Sequence, residues 1–170
     1  MADGYSGLRA VCDNTSLIGS DDALEAWLWW ETLADRFIAV NPMTALCGFD
    51  TQRVDQDRLG RLAAMHPLSS ASGPVPPFRL FFQGSALRLA GTIDAAALTS
   101  LLHSLAALPA GTPAEVDLGE QTTLSDGVSA MLGELASEGT PVTVHGEAAA
   151  LAAFKAAALN AGASLDLHEY

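Results

Sequence analysis

Apolar positions along this chain switch repeatedly between a strand-like and a helical period, and the switches mark out its elements. Leu8-Arg-Ala-Val-Cys12 and Met43-Thr-Ala-Leu-Cys47 are short runs of strand type. Between them, Asp21 to Val40 keeps a helical period behind Ser20. Asp21 and Asp22 stand in its first turn, where acidic side chains suit the positive end of the helix dipole. On this helix Ala23, Trp27, Trp30, Ala34 and Phe37 share one face and are expected inward. Trp29 falls on the polar side with Glu25, Thr32 and Arg36. After Gly48-Phe-Asp50, a second helix is expected from Asp55 to Ala64, ending before Met65-His66-Pro67. Residues 1–67 therefore read β-α-β-α, about half of a doubly wound sheet. Two strands and one crossover helix rarely bury enough surface to stand alone. This unit is expected to pack on the rest of the chain, on a second copy or on a partner.

Residues 68–77, rich in Pro, Ser, Gly and Ala, have no apolar period and read as a semi-extended linker. From 78 to 170 the pattern is β-β-α-β-α-β-α-β. Arg79–Gln83 and Ala86–Ala90 flank Gly84-Ser85, a hairpin turn. Asp94 caps a helix with Leu98, Leu101, Leu102, Leu105 and Leu108 on one face, stopped by Pro109-Ala-Gly111. Ala114–Leu118 is a strand, and the stretch from Gly119 to Leu124 a loop. A helix follows with Val128, Met131, Leu132 and Leu135 inward and Gly139 beyond its end. Val142–His145 is a strand. Glu147 to Asn160 is a helix with Leu151, Phe154 and Ala158 inward and Gly162 as its stop, and Ser164–His168 is a last strand. Alternating strands and helices predict right-handed crossovers and a mostly parallel sheet, with helices mainly on one face of so small a sheet. The fold class is α/β.

Charge narrows the partners. The chain of 170 residues carries 8 Lys and Arg against 20 Asp and Glu, a net charge of −12. Such a surface repels phosphate backbones and anionic lipid, so neither nucleic acid nor membrane is the expected partner, and a basic protein surface is. No apolar run approaches the ~20 residues needed to span a bilayer. The first residues lack the pattern of an export signal, so a cytoplasmic protein is expected. Cys12 and Cys47 are then reduced, buried thiols in neighbouring strands of one β-α-β unit.

The run Leu89-Ala-Gly-Thr-Ile-Asp94, then Val116-Asp-Leu118, then Leu124-Ser-Asp-Gly-Val128 resembles the STAS domain of anti-sigma-factor antagonists and stressosome proteins, over residues 78–170. The resemblance implies a regulatory switch domain. Its phosphorylated serine would fall on Ser125, and a contact surface for an anti-sigma factor, a switch kinase or another STAS protein would run over Thr122, Thr123, Leu124, Ser125, Asp126 and Gly127. Leu124 stands where that family usually has Asp, and Asp126 follows the serine. In the first block, Gly7-Leu-Arg9, Trp30-Glu31, Ala45-Leu-Cys-Gly-Phe-Asp50 and His66-Pro67 resemble the C-terminal part of the MEDS sensory domain, a RecA-like relative. That resemblance implies a sensor of small, often hydrocarbon-derived ligands, a partial RecA-like unit, and Trp29, Trp30 and Glu31 as ligand or interface positions.

Each position also has a plainer reading. Ser125 suits an N-cap, Thr122 and Thr123 are ordinary loop hydroxyls, Trp27 and Trp30 fill a core, and Glu31 is a solvated helix charge. Trp29, on a polar face, is the better sign of an interface. No G-x-x-x-x-G-K-[ST] occurs, so nucleotide chemistry is not expected and no cofactor is implied. His66, His103, His145 and His168 are dispersed with no H-x-x-x-H or C-x-x-C pattern, so no metal site is expected either. No catalytic set of nucleophile, base and orienting group is evident. The sequence thus points to a non-enzymatic regulatory module. The alternative is a protein of a biosynthetic pathway that binds or transforms an apolar ligand on the same scaffold.

Overall fold

The computed structural model describes residue 4 and residues 6–70, 75–119, 121–138, 140–158 and 165–170. In the first block, strand β1 (Leu8–Asp13) pairs in parallel with β2 (Met43–Gly48), with Cys12 opposite Cys47. The crossover between them is helix α1 (Asp21–Val40), whose Ser20 hydroxyl accepts from the Ala23 N–H, and α2 (Gln56–Ala64) follows behind an Asp55 cap. In the second block, β3 (Phe78–Gln83) and β4 (Ala86–Ile93) form an antiparallel hairpin. Then come α3 (Ala95–Ala106), β5 (Ala114–Leu118), β6 (Thr123–Leu124), α4 (Asp126–Ser137), β7 (Val142–Gly146), α5 (Ala148–Ala158) and β8 (Asp166–Glu169).

The larger sheet runs β3-β4-β5-β7-β8, and every pair after the hairpin is parallel. Each crossover from β4 onward steps in the same direction. Right-handed crossovers that all step one way place their helices on one face. Burial follows: Leu80, Leu89, Val116 and Val144 lie at 0% exposure, against α3, α4 and α5. The other face carries partly exposed polar residues, including the Arg88–Asp117 ion pair and the stacked rings of His145 and His168. The α/β architecture with a mostly parallel sheet is as the pattern predicts.

Four expectations need correction. The stretch from Gly119 to Leu124 is not all loop, because Thr123 and Leu124 form β6, paired in parallel with Thr92 and Ile93. A two-residue strand is too short to show a period. Leu102 is exposed on α3, where Ala97, Leu101 and Ser104 are buried instead. Cys12 is exposed and Cys47 half-buried, because α1 packs over β2, where Cys47 meets Glu31. The fourth concerns α1, whose bounds are as expected but whose face is not. Its buried residues are Leu24, Leu28, Glu31 and Thr32, whereas Trp30 is 51% and Phe37 58% exposed. Gly139, Gly162, Ser164 and the helix end beyond 158 lie outside the described residues, as do 71–74 of the linker stretch.

The rotation of α1 follows from what it packs against. Its polar side lies along β3 and α3 of the second block, and a single apolar cluster runs from Ile18 through Leu80 to Phe154. The polar groups caught in this junction are matched. Thr32 donates to the Leu28 carbonyl at 3.0 Å, and the Arg36 guanidinium donates to the Ala107 carbonyl at 2.5 Å. Arg79, on β3, donates back to the His66 carbonyl at 2.8 Å. Asp35 accepts from the Phe82 N–H at 2.5 Å, occupying a donor on the edge strand of the large sheet. An edge strand covered in this way is closed to pairing with other chains. The first block is left with exposed apolar side chains on both its strands and α1: Leu8, Val11, Leu46, Leu33, Phe37 and Val40.

Asp35 gives this junction a pH dependence. Burial pushes its carboxyl up from 3.8 to about 6, a rise supported by the Glu31 charge and opposed by the Phe82 N–H and by His66. The folded state therefore holds this proton more tightly than the unfolded chain. Its contribution is fully present below about pH 4 and is lost as pH rises through about 6. The loss is on the order of 2 kcal/mol. Denaturant unfolding at pH 4, 5, 6 and 7 is expected to show a steeper decline for the wild type than for Asp35→Asn, whose amide oxygen still accepts from Phe82. Parallel curves would refute the assignment.

Candidate functional site

Two places hold the residues singled out by the sequence. The first is the start of α4. Ser125 is its N-cap: the hydroxyl accepts from the Val128 N–H at 3.4 Å, and the Ser125 N–H donates to the Ile93 carbonyl at 2.9 Å. Thr123, Ser125, Asp126 and Gly127 are exposed, and Leu124 is half-buried. Thr122 is not a surface contact. It is buried, and its hydroxyl lies 2.6 Å from the Gly119 carbonyl and 2.9 Å from that of Leu89, which ties the loop to β4. Asp94, the N-cap of α3, is also exposed, and Thr92 beside it faces Thr123 with hydroxyls 3.4 Å apart. Strand β6 thus brings two helix starts onto one edge of the sheet, and that edge presents hydroxyls and carboxylates to solvent.

The second place lies inside the first block. Glu31 is 6% exposed, which overturns its reading as a solvated helix charge. It sits on the buried face of α1, against Cys47 of β2 and His66 just beyond α2. Cys47 Sγ lies 3.6 Å from Glu31 Oε1, and His66 Nε2 lies 3.7 Å from Glu31 Oε2. The His66 Nδ1 is 2.8 Å from the Leu62 carbonyl, which can only accept, so Nδ1 carries a proton and Nε2 points into the cluster. Nε2 is buried with no hydrogen-bond partner, and the Asn14 side chain lies against Cys47, where its hydrogen bond favours the thiolate. Burial, and then the adjacent Glu31 charge, push the Cys47 thiol up to about 12.

Residues 1–67 match the family model of MEDS, the methanogen/methylotroph DcmR sensory domain. No curated protein and no solved structure matches the chain. The MEDS match carries a sensory or regulatory role for the first block, and it covers the whole second cluster. Glu31, Cys47 and His66 belong to three separate stretches of that block, and the fold draws them to one point. Sequence spacing gave no hint of this, because the three come from a helix, a strand and a turn with no shared period. The one available signal was that each belongs to a MEDS-like stretch: Trp30-Glu31, Cys47-Gly-Phe-Asp50 and His66-Pro67.

Trp30 is exposed and stacks on Trp27 with ring centroids 4.8 Å apart. Trp29, read as the better sign of an interface, is 38% exposed and meets His103 of α3 edge-on at 5.6 Å, at the junction between the blocks. Grooves of about 210 Å³ beside Arg53 and Arg58 and about 310 Å³ beside Leu102 and Leu135 do not include either residue. No helix among the described residues is long and apolar enough to cross a membrane.

Proposed function

We propose that the chain is a non-enzymatic regulatory protein in which a MEDS sensory block is fused to a STAS-like contact module. The module would bind an anti-sigma factor, a switch kinase or another STAS protein through the start of α4. The observation that carries this reading is the exposed helix start itself. Ser125, Asp126 and Gly127 stand clear of the core at the edge where β6 brings α3 and α4 together. The contact would cover Ser125 itself, so a charge added there would be desolvated against the partner with no counter-ion to pair with. A phosphate on Ser125 would meet the favourable dipole of α4 but add roughly −1.5 to −2 charge beside Asp126 and Asp94. The change would be felt most by the partner.

The test separates charge from capping. Asp and Asn cap helices equally well. Ser125→Asp and Ser125→Asn should therefore leave stability similar. Against a histidine-kinase-like anti-sigma factor, the Asp variant is expected to bind roughly tenfold more weakly, about 1.4 kcal/mol, and the Asn variant to stay near wild type. Equal binding by all three proteins would remove Ser125 from the contact.

A further inference from the structure

The Glu31–Cys47–His66 cluster is left unused by a partner surface at Ser125, and its parts fit together chemically. Their ligand atoms lie within 4.8 Å of one another. The two separations given above, 3.6 and 3.7 Å, are close to the roughly 3.3–3.6 Å between neighbouring ligand atoms on a tetrahedral zinc ion. Metal-binding histidines generally donate their other ring N–H to a carbonyl or carboxylate, which fixes the tautomer and aims the free lone pair. His66 does this through Leu62. A thiolate, a carboxylate and a neutral imidazole together neutralise a dication. That would account for a carboxylate buried without a close cationic partner and for a buried imidazole nitrogen with nothing to bind.

We infer that Glu31, Cys47 and His66 bind a zinc-type divalent cation. One coordination position is left for water or a small anionic ligand, and the Asn14 side chain, against Cys47, favours its thiolate form. Three protein ligands and an exchangeable fourth form the open type of zinc site. Mixed sulfur, nitrogen and oxygen donors favour zinc over magnesium or calcium. Bound there, the ion would tie α1, β2 and the end of α2 together within the sensory block. A ligand exchanging at the fourth position would report through those elements. That last use rests on the sensory reading, whereas the metal site rests on geometry alone.

The test is a Co²⁺ titration of the full chain, stripped with chelator and kept reduced. A thiolate-to-cobalt charge-transfer band and tetrahedral visible bands are expected to saturate at one equivalent and to be displaced by Zn²⁺. Cys47→Ser should abolish the charge-transfer band, and Cys47→Ser and His66→Gln should each weaken Co²⁺ at least about 100-fold. Cys12→Ser, in the neighbouring strand, should keep the band and the affinity. Absence of a saturating thiolate band in the wild type would overturn the site without recourse to any variant. A band that persists in Cys47→Ser and vanishes in Cys12→Ser would overturn the ligand assignment. No partner protein enters the experiment, so its failure is distinct from failure at Ser125.

Discussion

Gly91→Val is expected to cost about 3–5 kcal/mol and to loosen the edge that carries Ser125. Gly91 lies within β4 at φ +84, a conformation in which a β-branched residue is strongly disfavoured. Space is short as well as backbone freedom. A Cβ there would stand 2.4 Å from the Pro77 carbonyl oxygen and 3.2 Å from the Phe78 Cα, both backbone atoms that cannot swing aside. The same carbonyl accepts from the Thr92 N–H at 3.0 Å. Displacing it disturbs Thr92 and Ile93, the two residues that pair with β6, and Ile93 in turn accepts from the Ser125 N–H. Gly84 is the control. It sits in the hairpin turn at φ +62, and a Cβ added there would meet nothing within 4 Å, so Gly84→Ala should cost only about 1–2 kcal/mol. Urea unfolding of both variants decides the matter. Similar losses would mean that conformation alone, and not the close approach to Pro77, makes Gly91 necessary.

Local chemistry made most of the elements legible in the sequence. Ser20 and Asp55 cap α1 and α2, Asp94 caps α3, and Gly84-Ser85 turns the hairpin, each from a residue type whose preference is local. The orientation of α1 was not legible, and the reason is tertiary. A helix stripe with two tryptophans and a phenylalanine looks like a core face. A two-stranded sheet is too narrow to cover it, and the larger apolar surface, β3 with α3, lies on the opposite side. The helix therefore buries Leu24 and Leu28 together with Glu31 and Thr32, and its exposed stripe keeps Phe37 and Val40 in solvent. The same rotation carried Glu31 inside. Its meeting with Cys47 and His66 depends on how a parallel crossover lays α1 over β2 and on where α2 ends. No spacing rule encodes that.

Glu31→Met is expected to make the metal-free protein more stable, by about 1–3 kcal/mol. A buried carboxylate loses its hydration, and this one regains little. Its neighbours are a thiol, a weak donor, whose sulfur lies 3.6 Å away, and an imidazole nitrogen at 3.7 Å, beyond hydrogen-bonding range. Met has nearly the same volume and no charge to desolvate, and its flexible thioether tolerates an irregular site. It also removes one source of the rise in the Asp35 carboxyl, so the junction should gain slightly at neutral pH. Added Zn²⁺ should invert the comparison. The wild type gains stability with metal concentration by mass action, about 2.7 kcal/mol at a hundredfold excess over Kd, and the variant does not. Thermal melts with chelator and with Zn²⁺ give both halves of the result. If Glu31→Met is instead destabilised by 3–5 kcal/mol in chelator, the carboxylate is one half of a structural ion pair with a protonated His66. A residue that lowers the stability of the empty fold and raises that of the loaded one is retained for what it binds.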